Sequence, residues 1–60
     1  MKNGDKVKLI KDTAFYKKGK EAIVIDTCGN SKEMEIRYKG EKYEGKDVDI
    51  MPKALFECTE

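Results

Sequence analysis

Two pairs of carboxylates, Glu33 with Glu35 and Asp47 with Asp49, stand two residues apart, the spacing that puts both members of a pair on one face of an extended strand. Paired carboxylates divide acid and base work only where a cleft drives one of them toward its protonated form, and an exposed strand face has no such cleft. The chain has two cysteines, Cys28 and Cys58, and no histidine, so neither thiol has an imidazole to activate it. Two sulfurs also fall short of the four nitrogen or sulfur ligands of a zinc site. The sequence therefore predicts no enzyme, no metal and no cofactor. It predicts free thiols in a reducing cytoplasm, with a single disulfide as the alternative.

The chemistry that remains is that of contact. Phe15 and Tyr16 are adjacent, with Lys11, Lys17, Lys18 and Lys20 around them. One reading makes Phe15, Tyr16, Lys17 and Lys18, with Tyr43 across from them, a surface for a protein or peptide partner: the rings supply contact area and the lysines steer an acidic ligand. Another lets the rings stack bases while Lys8, Lys11, Lys17, Lys18 and Lys20 hold phosphates. Net charge is +1 over the whole chain. Residues 1–20 carry seven lysines against two acids, a balance of +5, and residues 21–60 carry ten acids against six bases, a balance of −4. The acidic remainder opposes a long phosphate track, which favours the protein partner.

Sixty residues, 38% of them hydrophobic and 42% charged, allow one small domain with one core and no deep pocket. No apolar run reaches the ~20 residues of a membrane-spanning helix. Residues 1–4 read as a flexible lead, 5–58 as the domain and 59–60 as a tail, and the Met1 start reads as a short complete frame. Alternation predicts a first strand from Asp5 to Lys11 with Val7 and Leu9 inward, then a loop from Asp12 to Gly19. The run Glu21 to Asp26, with Ile23, Val24 and Ile25 in succession, predicts a central strand, apolar on both faces. Gly29 and Asn30 supply the positive-φ residues of a hairpin turn. Glu33 to Tyr38 places Met34, Ile36 and Tyr38 inward. A fourth strand is expected around Lys42-Tyr43-Glu44, with Gly45 at a bulge or bend, and Val48 and Ile50 finish the segment. Pro52 to Leu55 reads as one 3₁₀ turn, and Leu55 to Cys58 as a last strand returning to the first.

The result is an all-β, five-stranded antiparallel barrel, closed or nearly so. In such a barrel Phe15 plugs one open end, and Tyr38 and Tyr43 fill the core; an aromatic groove of Tyr16, Tyr38 and Tyr43 for a peptide or a cation is the competing expectation. Ile10, Ile23 and Ile25 face away from Val7, Leu9, Ala22 and Val24. They are expected to be covered within the monomer, by the last strand or the 3₁₀ turn, or else to form a self-association surface.

The runs Gly4-Asp5-Lys6-Val7-Lys8-Leu9-Ile10 and Lys18-Gly19-Lys20-Glu21-Ala22-Ile23-Val24-Ile25 resemble the first two strands of SH3-like barrels, in particular the branch with KOW and Tudor-like modules. Ala22 stands where the KOW pattern usually has a second glycine. Val48-Asp49-Ile50-Met51-Pro52 with Leu55-Phe56-Glu57 is similar to the helical turn and last strand of such barrels. The resemblance implies a stand-alone SH3-like barrel of bacterial or phage type, a monomer or weak homodimer, acting as a binding or adaptor module. Its ligand is expected to be a protein or peptide, with nucleic acid as the alternative.

Overall fold

The computed structural model describes residues 1–59. Five strands, β1 (Lys6–Leu9), β2 (Glu21–Asp26), β3 (Glu33–Tyr38), β4 (Asp49–Pro52) and β5 (Phe56–Cys58), form one antiparallel sheet. Among the described residues one 3₁₀ turn, Lys53–Leu55, follows Pro52, which is not its first residue as expected but the extended last residue of β4 (φ −60°, ψ 132°) that precedes it. Strand order is β4-β3-β2-β1-β5, so β2 is central and no ladder joins β4 to β5. Among the described residues no helix is long and apolar enough to cross a membrane.

Alternation builds the core. Val7, Leu9, Ala22, Val24, Met34, Ile36, Tyr38 and Phe56 are buried together, with Tyr16, Met51 and Leu55 packed against them. Each large aliphatic side chain taken fully from water contributes about 1.5–3 kcal/mol, and this cluster is the main term that opposes chain entropy. Ahead of β1, the residues expected as a lead are hydrogen-bonded to β2 and to the residue that follows it: Gly4 N–H donates to the Val24 carbonyl at 2.7 Å and Thr27 N–H to Asn3 Oδ1 at 3.0 Å.

The first strand ends two residues earlier than alternation suggests. Gly19 N–H donates to the Leu9 carbonyl, while Ile10 N–H turns to the Leu55 carbonyl, both at 2.9 Å, so residues 10–20 form the connection to β2. In the next turn the positive φ falls on Cys28 (56°) and Gly29 (61°), not on Asn30. Cys28 N–H donates to Asp26 Oδ1 at 2.8 Å, an Asx-type contact that turns the chain one residue sooner than Gly-Asn spacing implies.

The fourth strand is not at Lys42-Tyr43-Glu44; it lies at Asp49–Pro52. That earlier segment has one apolar residue, and the glycines on either side, Gly40 (φ 85°) and Gly45 (φ 59°), adopt conformations that break a strand. Hydrogen-bond phase shows what replaces it. Lys53 N–H donates to the Lys32 carbonyl at 2.9 Å, in register with Met51 opposite Met34 and Asp49 opposite Ile36, so the even residues of β3 face β4. Beyond Asp49 there is no strand for the Tyr38 N–H. The Tyr43 hydroxyl accepts that N–H at 3.0 Å and donates to Asp49 Oδ2 at 2.6 Å. Arg37 ties down the same segment through the Asp47 and Gly45 carbonyls, at 2.9 and 2.8 Å. Tyr43 is thus half-buried and bonded through its hydroxyl.

The bulge lies at Ile25, not at Gly45. Val24 pairs with Ile36 but Asp26 with Glu35, so Ile25 is the extra residue. Ile23 and Ile25 are 41% and 38% exposed, which corrects the expectation that the monomer covers them: the last strand pairs beside β1 and does not cross their face. Ile10 does not join them. Lys6 is the residue opposite Ile23, and Ile10 lies four residues further along the chain, about 13 Å away at strand spacing.

Candidate binding groove

The long connection is held by its own polar groups. Thr13 N–H and Oγ1 both donate to the Tyr16 carbonyl, at 2.7 and 3.0 Å, and Tyr16 N–H returns a bond to Thr13 Oγ1 at 3.0 Å. Asp12 Oδ1 accepts Lys18 N–H at 2.7 Å. A loop whose turns are closed by side-chain bonds presents its tip in a defined place. At that tip Phe15 is 90% exposed, so it does not plug the end of the sheet. Phe15 sits between Ala14 and Tyr16, and only Tyr16 turns inward.

Tyr16 lies on Tyr38, ring centroids 4.2 Å apart, and Tyr38 in turn meets Phe56 at 6.3 Å. Lys20 stands 5.0 Å over the Tyr16 ring and pairs with Glu41 at 3.5 Å. Between the loop and β4 runs an open groove of about 280 Å³ lined by Phe15, Tyr16, Tyr38, Asp49, Ile50 and Met51. Asp49 is its one charged wall. Tyr38 is 4% exposed, and its hydroxyl is the one buried side-chain polar atom without a hydrogen-bond partner among the described residues.

Of the residues expected to meet a partner, Phe15 and Tyr16 line this groove. Lys17 and Lys18 stand exposed on the same loop outside the lining, and Tyr43 contributes through Asp49, which it holds. The five lysines read as phosphate contacts divide. Lys8 pairs with Glu57 at 3.4 Å and Lys20 with Glu41, whereas Lys11, Lys17 and Lys18 have no ion pair among the described residues. Sequence reasoning missed Asp49, Ile50 and Met51 as groove residues. The signal was Ile50, an isoleucine in a short segment next to Pro52, where only an edge strand fits.

Tyr16 has its phenol pushed up to about 12, first by the neighbouring Glu41 carboxylate, then by loss of solvent. Burial comes first in raising Tyr38, with Asp49 adding to it. Burial and the bond to Asp49 raise Tyr43. A group whose pKa is higher folded than unfolded gives stability that is complete below its unfolded value, about 10 for tyrosine, and is lost as pH rises through the folded value. We predict that phenolate absorbance of the native protein rises at higher pH than that of the urea-unfolded chain, and that stability falls between about pH 10 and 12. A native titration that overlays the unfolded one would contradict the clustering of these rings with Glu41 and Asp49.

Both cysteines are free and exposed. Asp26, Cys28 and Glu35 each bring one potential ligand atom within 4.8 Å of the others on the open surface, although Asp26 Oδ1 already accepts the Cys28 N–H.

Fold and groove together define a class, a small all-β domain with a single antiparallel sheet and a shallow aromatic groove beside an ordered loop. Compared with family models, with curated proteins and with solved structures, the chain matches none of them.

Proposed function

We propose that this protein is a non-enzymatic binding module of SH3-like type that takes a protein or peptide segment in the groove between the long loop and β4. The strand order, with a 3₁₀ turn before β5 and the sheet wrapping one core, supports the SH3-like barrel. The observation that carries the function is Phe15: a phenylalanine 90% exposed at the tip of a hydrogen-bonded loop, across an open groove from Ile50, 61% exposed. A large ring held in water by an ordered backbone contributes nothing to this fold, and it is the type of residue that anchors interfaces. The exposed thiols fit a reducing cytoplasm.

Selection of peptides displayed on phage against the immobilised protein, followed by NMR mapping of binders, tests this reading. Shifts are expected at Phe15, Tyr16, Ile50 and Met51. Phe15→Ala should weaken binding about thirty-fold or more, the effect of losing an anchor of at least ~2 kcal/mol, while stability stays within about 0.5 kcal/mol. Binders that leave these residues unshifted, or an alanine variant of unchanged affinity, would refute the site.

Lys11, Lys17 and Lys18, on the same loop and free of ion pairs among the described residues, favour a second reading in which a single nucleic-acid strand stacks on Phe15. Affinity for mixed single-stranded DNA and RNA that falls steeply with salt would establish it. Self-association rests on Ile23 and Ile25 alone, a patch too small by itself for a stable dimer.

A further inference from the structure

Three consecutive residues of β4, Asp49, Ile50 and Met51, line the groove. Side chains alternate between the two faces of a sheet, so a depression that touches three in succession runs along the edge of the strand, not over one face. Among the described residues nothing pairs with that edge, because β4 is the last strand of the sheet. The hydrogen-bond phase then identifies its free groups. Asp49 and Met51 exchange bonds with β3, as the Lys53 to Lys32 bond in the same register requires. Ile50 therefore directs its N–H and carbonyl away from β3, and at Pro52 only a carbonyl is available.

From this we infer that the groove receives an extended peptide that adds to the edge of β4 as a sixth strand, antiparallel, exchanging both main-chain bonds with Ile50. The inference rests on the groove being the binding site and names how, and by what sequence, it is filled. In such a pairing the ligand residue opposite Ile50 shares its outward face, and the residues on either side of it turn toward the aromatic wall. The first of these lies beside Met51 and the second beside Asp49. The ligand is thus an apolar residue followed two positions later by a basic one, the cation answering the single carboxylate of the lining. The partnerless hydroxyl of Tyr38, also in the lining, is a donor for a carbonyl that enters there.

The probe is the blocked pentapeptide acetyl-Thr-Val-Thr-Arg-Thr-amide. Comparison peptides carry glutamate for arginine, an N-methyl group on the central threonine, or a proline-rich sequence. With the first probe, the Ile50 amide should shift downfield and its hydrogen exchange should slow at least ten-fold. Glutamate should weaken binding at least ten-fold, and N-methylation should abolish it. Ile50→Pro, which removes the donor at an exposed edge position, should abolish it too. The methylated peptide keeps the test decisive if that variant fails to fold.

Shifts at Phe15 and Tyr16 with unchanged exchange at Ile50, or equal binding of the methylated peptide, would overturn strand addition and leave the groove reading intact. So would a proline-rich peptide shifting the groove where the strand probe does not. If no peptide, including those selected by display, shifts Phe15 or Tyr16, both readings fall together. Protection of Ile50 that grows with concentration of the protein alone would assign the edge to a second copy and overturn the peptide as its occupant.

Discussion

An Ile36→Ala variant is expected to lose most or all of its folding stability at 25 °C. Ile36 is fully buried in β3 between Val24 of β2 and Asp49 of β4, so truncation removes three carbons from the centre of the core cluster. Isoleucine to alanine at such a site costs about 2–5 kcal/mol. A domain of this size has about 3–5 kcal/mol to lose, so the two ranges overlap and the truncation takes most or all of that margin. Urea titration followed by circular dichroism would show a transition at or below the start of the denaturant range. Ile50→Ala, on the face of β4 opposite the core-packed Met51 and 61% exposed, should stay within about 0.5 kcal/mol of the parent. An Ile36→Ala protein within about 1 kcal/mol of the parent would mean that the core closes over the gap, contrary to the cavity argument.

Tyr43→Phe is expected to destabilise the fold by about 2 kcal/mol for the loss of one oxygen. That oxygen accepts the Tyr38 N–H where β4 has ended, and donates to Asp49 Oδ2 at 2.6 Å. Without it a part-buried donor and a carboxylate both lose a partner, and the second bond is charge-assisted. The ring remains, and with it the Arg37 guanidinium 5.3 Å from its centre, so the variant isolates the hydroxyl. Native-state hydrogen exchange should report the loss first at the Tyr38 amide. A change below about 0.5 kcal/mol with Tyr38 exchange unaltered would mean that water serves as well as the phenol.

Much of this architecture can be read from side-chain period. Glu33–Tyr38 is a strand with the bounds alternation implies, Glu21–Asp26 one with the bounds its β-branched run implies, and Val7, Leu9, Ala22, Val24, Met34, Ile36 and Tyr38 are buried on the face expected. The segment between Tyr38 and Asp49 was not legible. Its order comes from one phenol and one guanidinium reaching main-chain groups, and such contacts leave no periodic trace. Phe15 was legible as a candidate contact but not in its degree of exposure, because period assigns faces only within strands. Asp49, Ile50 and Met51 lie beside the loop through a tertiary arrangement, and only their place next to Pro52 hinted at an edge. Ile23 and Ile25 misled for a related reason: a β-branched run signals strand propensity, and the bulge at Ile25 leaves the extra side chain in water.

An open sheet in water has two bare edges, and each invites growth by another chain of the same kind. This protein limits both. The β5 edge is three residues long and carries Glu57, more than half exposed, in its middle. The β4 edge is four residues long and ends on Pro52, which has no N–H to continue a ladder. A run of such molecules cannot stack edge to edge into a ribbon, because each edge runs out of donors or meets a charge within one or two pairs. The same proline that precedes the 3₁₀ turn therefore also guards against aggregation, and it does so without closing the short stretch of edge beside Phe15.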